Sequence, residues 1–168
     1  MAFKARAAFG VMAAVLFAVG IVVLSAFVPD YSQVRQTVSE IGEVGSPVQI
    51  PFAKLMCLVA ICVLVFASAI RDLLKATGHS QITFFLIVAM AVCAAGVGIF
   101  AYPHPLHNIF GPAQLIGYQA PVALWLSLRR DPENLLLARI SLIGAVLDGS
   151  QSLQTWRFLI AAAMYGPI

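Results

Sequence analysis

Charged residues are scarce in this chain: only 10% of its 168 residues are Asp, Glu, Lys or Arg, whereas 61% are hydrophobic. Soluble domains carry about 25% charged residues, so the composition excludes an ordinary soluble protein. Apolar runs of about 20 residues, the length of helix that spans a bilayer, recur between short polar links. We therefore predict an all-α, polytopic transmembrane bundle, with residues 1–168 forming a single transmembrane domain.

Cysteines and familiar catalytic motifs are equally scarce. The three cysteines, Cys57, Cys62 and Cys93, lie inside apolar runs without the spacing of a zinc or redox motif. The sequence has no nucleophile elbow, phosphate loop, haem-attachment motif or HExxH motif. The net charge of +3 comes from dispersed rather than clustered cations. We therefore expect no metal, no nucleic-acid partner and no complete catalytic set.

Four apolar segments are long enough to cross a membrane, at residues 7–28, 52–70, 82–101 and 107–128. Two shorter apolar segments, 135–147 and 156–168, flank a polar stretch that begins at Asp148. They predict two short closing spans, giving about six, or alternatively one interrupted or re-entrant span.

The distribution of Lys and Arg predicts the orientation. Seven of the ten lie at the N-terminus or in the links 71–81 and 129–139, so the positive-inside rule places the N-terminus in the cytoplasm. The loop 29–51, the link 102–106 and the turn at Asp148 then share the outer face. In that loop Asp30 fits a helix start, and apolar residues follow at helical spacing, which predicts a short amphipathic helix.

A polar stripe marks the fourth span. The segment from Tyr102 to Asn108 contains two histidines, and one helical face then carries His107, Gly111, Gln114, Tyr118 and Pro121. Polar groups at membrane depth are costly unless they have partners. We therefore expect the site along this stripe.

The candidate ligand-binding residues are His104, His107, Gln114, Tyr118 and Glu40, and the catalytic candidates are Glu40, His107 and Asp148. For the histidines the alternatives are a metal or proton-handling pair, or His107 capping the fourth span. Glu40 could pair with Lys54, Arg35 or a histidine, or it could hold a helix end. Gln114 and Tyr118 either join helices or line a cavity for a lipid, quinone or pigment. We expect no bound haem, because a haem with two histidine ligands needs two histidines facing each other across spans.

Several short motifs in this order resemble a bacterial membrane family, the domain of unknown function 998. They are Asp30-Tyr-Ser, Ser39-Glu-Ile-Gly42, Gly45-Ser-Pro47, Tyr102-Pro103 and His107. The resemblance covers roughly residues 7–130 and implies about six spans in a bacterial cytoplasmic membrane. It points to Glu40 and His107 but supplies no reaction, and the polar stretch after Asp148 departs from the family pattern.

Two functions are consistent with these features. The first is a non-enzymatic bundle that binds membrane lipids or a lipid-like ligand, or that packs as an accessory subunit against other integral membrane subunits. The alternative is a membrane enzyme, hydrolytic or metal-dependent, that acts on a lipid headgroup at the outer face. A pocket that joins Glu40 and His107 favours an enzyme or ligand site, whereas closed, fully bonded side chains favour a structural lock.

Overall fold

The computed structural model describes residues 2–146, and its regular structure is helical throughout that range. The helices are α1 (Phe3–Ser25), α2 (Val38–Ile41), α3 (Gln49–Ala76), α4 (Ile82–Ile99), α5 (His107–Gly117), α6 (Ala120–Leu128) and α7 (residues 135–146), with a 3-10 turn at Pro132–Asn134. The predicted all-α bundle is confirmed.

Three of these helices, α1, α3 and α4, are long and apolar enough to cross a membrane. They coincide with the first three predicted spans. α3 is the longest, with 28 residues, because its helix continues past the apolar run through Arg71, Asp72 and Lys75. The chain is an integral membrane protein with transmembrane helices.

The described residues form two compact units that divide after Gly117. In the first unit, α3 packs against both α1 and α4, and α5 packs against α4. The buried residues of α3 recur at helical spacing and include Phe52, Met56, Val59, Val63, Ala67, Ile70 and Leu74. The core of this unit is therefore centred on α3.

Close helix contacts depend on small residues. A Cβ atom at Gly98 of α4 would lie 2.6 Å from the Cβ of Met56 and 3.1 Å from the carbonyl oxygen of Ala53, both on α3. Small residues at such positions let transmembrane backbones approach. α1 is more loosely buried, because only Ala13 and Ile21 of its 23 residues are enclosed.

The fourth predicted span is not one continuous helix. α5 ends at Gly117, and α6 begins at Ala120 with Pro121 in its first turn. Proline lacks an N–H group and its ring clashes with the carbonyl four residues earlier, which here belongs to Gly117. The predicted stripe is therefore divided: His107, Gly111 and Gln114 lie on α5, whereas Tyr118 precedes α6 and Pro121 lies within it.

The second unit comprises α6, the 3-10 turn and α7. Leu124, Leu128 and Ala138 are buried in it. The Asp131 carboxylate accepts a hydrogen bond from the Glu133 N–H at 3.1 Å, which caps the turn between the helices. α7 occupies the fifth predicted apolar segment. Asp148 and the sixth segment lie outside the described residues.

The helix in the first loop is shorter than predicted and starts later. Asp30 adopts a left-handed conformation with φ 57° and belongs to a turn rather than to a helix start. Thr37 is the N-cap instead, and the helix is the four-residue α2. Ile41, at its end, is fully buried, so the loop packs against the bundle.

Candidate functional site

The Glu40 side chain is bonded within its own loop. Its Oε1 accepts hydrogen bonds from the Thr37 N–H at 2.8 Å and from the Thr37 hydroxyl at 3.0 Å. Its Oε2 accepts a hydrogen bond from the Gln36 amide at 2.9 Å. Glu40 occupies the third position of α2, where a carboxylate satisfies the free amide of the N-cap. These partners, rather than Lys54, Arg35 or a histidine, hold the carboxylate.

These bonds favour the ionised form of Glu40. The hydrogen bond from the Thr37 backbone is the largest influence and lowers the pKa of the carboxyl below its ordinary value, partial burial opposes it, and the Gln36 and Thr37 side chains lower it further. Glu40 is therefore a charged helix cap near neutral pH. A general acid needs the opposite shift.

His107 is the buried polar residue of this region. It is the first residue of α5, and only 4% of its surface is exposed. Its Nδ1 lies 2.8 Å from the carbonyl oxygen of Phe100, the residue that ends α4. Its Nε2 lies 2.9 Å from Ser39 Oγ on α2. One imidazole therefore joins three elements of the bundle.

The partners of His107 determine its tautomer. A backbone carbonyl can only accept, so the Nδ1–H donates to Phe100. In the neutral ring Nε2 then carries a lone pair, which accepts the hydroxyl proton of Ser39. Both ring nitrogens have partners within the protein. The Ser39 hydroxyl beside His107 Nε2 also matches the arrangement of a nucleophilic serine and its general base in enzymes.

Aromatic rings and backbone bonds surround His107. The Tyr102 ring meets the imidazole edge-on, with centroids 5.7 Å apart. Phe100 stacks with His104 and with Phe110, at centroid distances of 5.1 and 5.8 Å. The Val44 N–H donates to the carbonyl of Tyr102 at 2.8 Å, which is a second tie between the loop and this link. The loop between α1 and α3 is therefore fastened at two points.

The remaining predicted residues are dispersed. His104 is exposed, and its Nδ1 accepts a hydrogen bond from the Leu106 N–H at 3.1 Å. Gln114 is partly buried and lies on the same face of α5 as His107, about two turns further along the helix. Tyr118 belongs to the second unit. Within residues 2–146 no three His, Cys, Asp or Glu side chains are grouped as a metal site requires.

The sequence prediction missed the role of Ser39. It singled out the neighbouring Glu40 as the partner across the surface, whereas the structure directs Ser39 to His107 and Glu40 to Thr37. The sequence signal for Ser39 was its position next to Glu40. α2 turns about 100° per residue, so these adjacent side chains point in different directions. A carboxylate three residues after Thr37 fits a capping box, which leaves Ser39 to face the bundle.

Searches of curated proteins and of solved structures gave no match to this chain. A family model described as "Protein of unknown function (DUF998)" matches residues 11–150, which is most of the chain. The matched region contains α2, with Ser39 and Glu40, and the start of α5 at His107. The chain therefore belongs to this family of proteins of unknown function, DUF998.

Proposed function

We propose that this protein is a non-enzymatic bundle of a bacterial cytoplasmic membrane that acts through its lateral surface, binding lipid or serving as an accessory subunit of a larger membrane complex. The observation that carries the proposal is the bonding of His107. Both ring nitrogens are used inside the protein and the side chain is 4% exposed. Glu40 is likewise bonded on both oxygens. His107 thus holds the loop to the bundle, whereas Glu40 stabilises the helix within the loop.

α1 supplies the largest lateral surface for such contacts. Its inner side carries Gly10 and Gly20, which lie against Phe66 and Leu55 of α3. Its outer side exposes a row of valines that includes Val11, Val15, Val19 and Val22, each at least 55% accessible. β-Branched side chains lose little rotamer freedom when they pack between helices. This row suits a second transmembrane helix as well as lipid chains.

The experiment is purification of the full chain from its native membrane in a gentle detergent, followed by mass spectrometry of the co-purifying proteins and lipids. We expect a defined partner subunit or a retained lipid. The variant Val15→Phe/Val19→Phe keeps the surface apolar but enlarges it, so it should release a partner bound at α1. The matched control Ile61→Phe changes an equally exposed position of α3 and should retain that partner. Monomer free of protein and lipid would contradict the proposal.

A second candidate function, hydrolysis of an ester in a membrane lipid, is favoured by the placement of Ser39 and His107. Ser39 Oγ lies 2.9 Å from Nε2, and a neutral ring whose Nδ1–H donates to the Phe100 carbonyl would present Nε2 as the base. Attack of Ser39 Oγ on the ester carbonyl would transfer its proton to Nε2. The leaving alcohol would take that proton, and water would then release the acyl group from Ser39.

A fluorophosphonate probe distinguishes the two candidates, because it reacts covalently with an activated serine. Hydrolysis requires labelling of Ser39 in native membranes, loss of labelling in Ser39→Ala and His107→Gln, and no loss in Ser46→Ala. Ser46 is a suitable control because it lies in the same loop and donates to the carbonyl of Ile41 rather than to a base. Absence of labelling in the intact, folded protein supports the non-enzymatic bundle.

A further inference from the structure

The two ends of the first unit differ in charge. The end formed by the start of α1, the end of α3 and the start of α4 carries four cations, Lys4, Arg6, Arg71 and Lys75, against one carboxylate, Asp72. The opposite end, formed by the first loop and the start of α3, carries Arg35 and Lys54 against Asp30, Glu40 and Glu43. The surplus of positive charge is therefore confined to one end. We call the four cations with Asp72 the basic rim.

Arg6 has a structural role in the basic rim. Its guanidinium bridges α1 to α3, with Nη2 donating to Asp72 Oδ2 at 2.6 Å and Nη1 lying 3.3 Å from both the carbonyl and the hydroxyl oxygen of Ser68. The side chain is 21% exposed, whereas that of Asp72 is 52% exposed. Asp72 is thus already paired with Arg6. It offsets one cation of the rim and leaves the others in excess.

Besides Lys4 on α1, two cations of the rim remain available, Arg71 and Lys75. They lie four residues apart on α3, so they share one face of the helix, and both are exposed. Neither side chain makes a hydrogen bond to a described residue, although both interact electrostatically with Asp72. The guanidinium carbon of Arg71 lies 5.5 Å from the centre of the Phe84 ring. This contact holds the charge beside the first turn of α4.

Apolar surface begins directly beside these cations. Ile82 and Phe85, in the first turn of α4, are 55% and 64% exposed. Phe84 and Phe85 form an edge-to-face pair with centroids 5.1 Å apart. Cations bordered by exposed aromatic and aliphatic side chains match the level at which lipid headgroups meet acyl chains. A free polar anion would contact only the cations, whereas a lipid would contact the cations with its headgroup and the apolar side chains with its acyl chains.

We propose that Arg71 and Lys75 bind the phosphate of an anionic phospholipid in the cytoplasmic leaflet, with its acyl chain along the start of α4. The inference rests on the proposed lipid-binding function and on the orientation with the N-terminus inside. Arg71 supplies a planar set of donors for phosphate oxygens, and Lys75 adds a mobile ammonium group one turn away. Arg6 is a positioning residue that keeps α1 against α3.

Native mass spectrometry of the full-length, delipidated protein tests this site. The probes are phosphatidylglycerol and phosphatidylethanolamine with identical acyl chains. We expect the wild type to prefer phosphatidylglycerol. Arg71→Gln/Lys75→Gln should weaken that binding by about thirtyfold, because each cation near an anionic headgroup contributes on the order of a factor of five. Binding of phosphatidylethanolamine should not change.

The matched control is Arg35→Gln/Lys54→Gln, which removes two cations from the opposite end and should retain the preference. The exchange Arg71→Lys/Lys75→Arg keeps both charges, so retained binding there shows that the loss in the double Gln variant comes from charge. Equal loss in both double Gln variants, or no loss in either, overturns the proposal. Displacement of phosphatidylglycerol by inorganic phosphate would assign the site to a free anion and overturn the proposal that a lipid binds there.

A result that refutes the headgroup site can be distinguished from a result that refutes the proposed function. A partner held at α1 is measured with Val15→Phe/Val19→Phe, which leaves the basic rim unchanged. Loss of phosphatidylglycerol preference with retention of an α1 partner refutes only the headgroup site. Retention of phosphatidylglycerol preference without a partner subunit supports the lipid-binding form of the function.

Discussion

At the scale of single residues, His107 joins the loop to the ends of two helices. Removing its ring in His107→Ala breaks two hydrogen bonds and leaves the Ser39 hydroxyl and the Phe100 carbonyl without their partner. We expect a loss of about 2–4 kcal/mol in the free energy of unfolding, from the unmet polar groups and the cavity. Thermal unfolding in detergent measures it. His104→Ala is the control, because that side chain is exposed and should cost under about 1 kcal/mol; equal losses would refute the central role of His107.

The pH response of the loop depends on Glu40. Its pKa is lowered in the folded protein, chiefly by the hydrogen bond from the Thr37 backbone. A lowered folded pKa contributes stability that is fully present above the unfolded value of about 4.3 and is lost as the pH falls through the lower, folded value. Hydrogen exchange at the amides of the loop can be measured at pH 6 and in the acid range. In the wild type it should show that the loop loosens in acid. Glu40→Gln should show a smaller change over the same range, and an identical pH response would contradict this assignment.

Sequence reasoning reached some of these residues and not others, for a physical reason. His107 was identifiable because a histidine at the start of a membrane span needs partners wherever they lie. For Ser39 the capping box indicates only that the side chain faces the bundle; its bond to His107 joins positions 68 residues apart, and no local pattern encodes that contact. Whether Gln114 and Tyr118 bind a ligand remains a prediction. The roles of the site residues thus depend on tertiary contacts, whereas their general location followed from polarity.

At the scale of helices, local chemistry decides where elements begin and end. Apolar length was sufficient to predict α1, α3 and α4. It failed at the fourth span, because apolar length does not reveal that the helix stops at Gly117 and resumes at Ala120. Pro121 gave the relevant signal, because its ring clashes with the carbonyl of Gly117, where α5 ends. The loop helix was likewise misplaced, because two capping patterns compete and the one at Thr37 and Glu40 is formed.

Packing of α4 on α3 is tested at Gly98. An added methyl would meet the Met56 Cβ and the Ala53 carbonyl, and a backbone carbonyl cannot rotate away. We expect Gly98→Ala to destabilise the protein by about 1–3 kcal/mol through overpacking. Gly144→Ala is the control, because no atom of the described chain lies within 4 Å of a Cβ there and alanine favours a helix interior. Thermal unfolding of the two variants should therefore shift in opposite directions, and a similar loss in both would show that Gly98 is not a close contact.

At the scale of the whole molecule, the segregation of charge predicts how the chain inserts. The positive-inside rule predicts that the basic rim of the first unit lies in the cytoplasm and that the loop carrying Glu40 lies outside. Two exposed positions report on this: Val34, 96% accessible in the loop, and Ser80, between α3 and α4. In intact spheroplasts a membrane-impermeant maleimide should label Val34→Cys at once and Ser80→Cys only after lysis. The wild type is the background control, since Cys57, Cys62 and Cys93 all lie within apolar helices. The reverse labelling pattern would invert the orientation, place the basic rim outside, and remove the cytoplasmic leaflet as the source of its phospholipid.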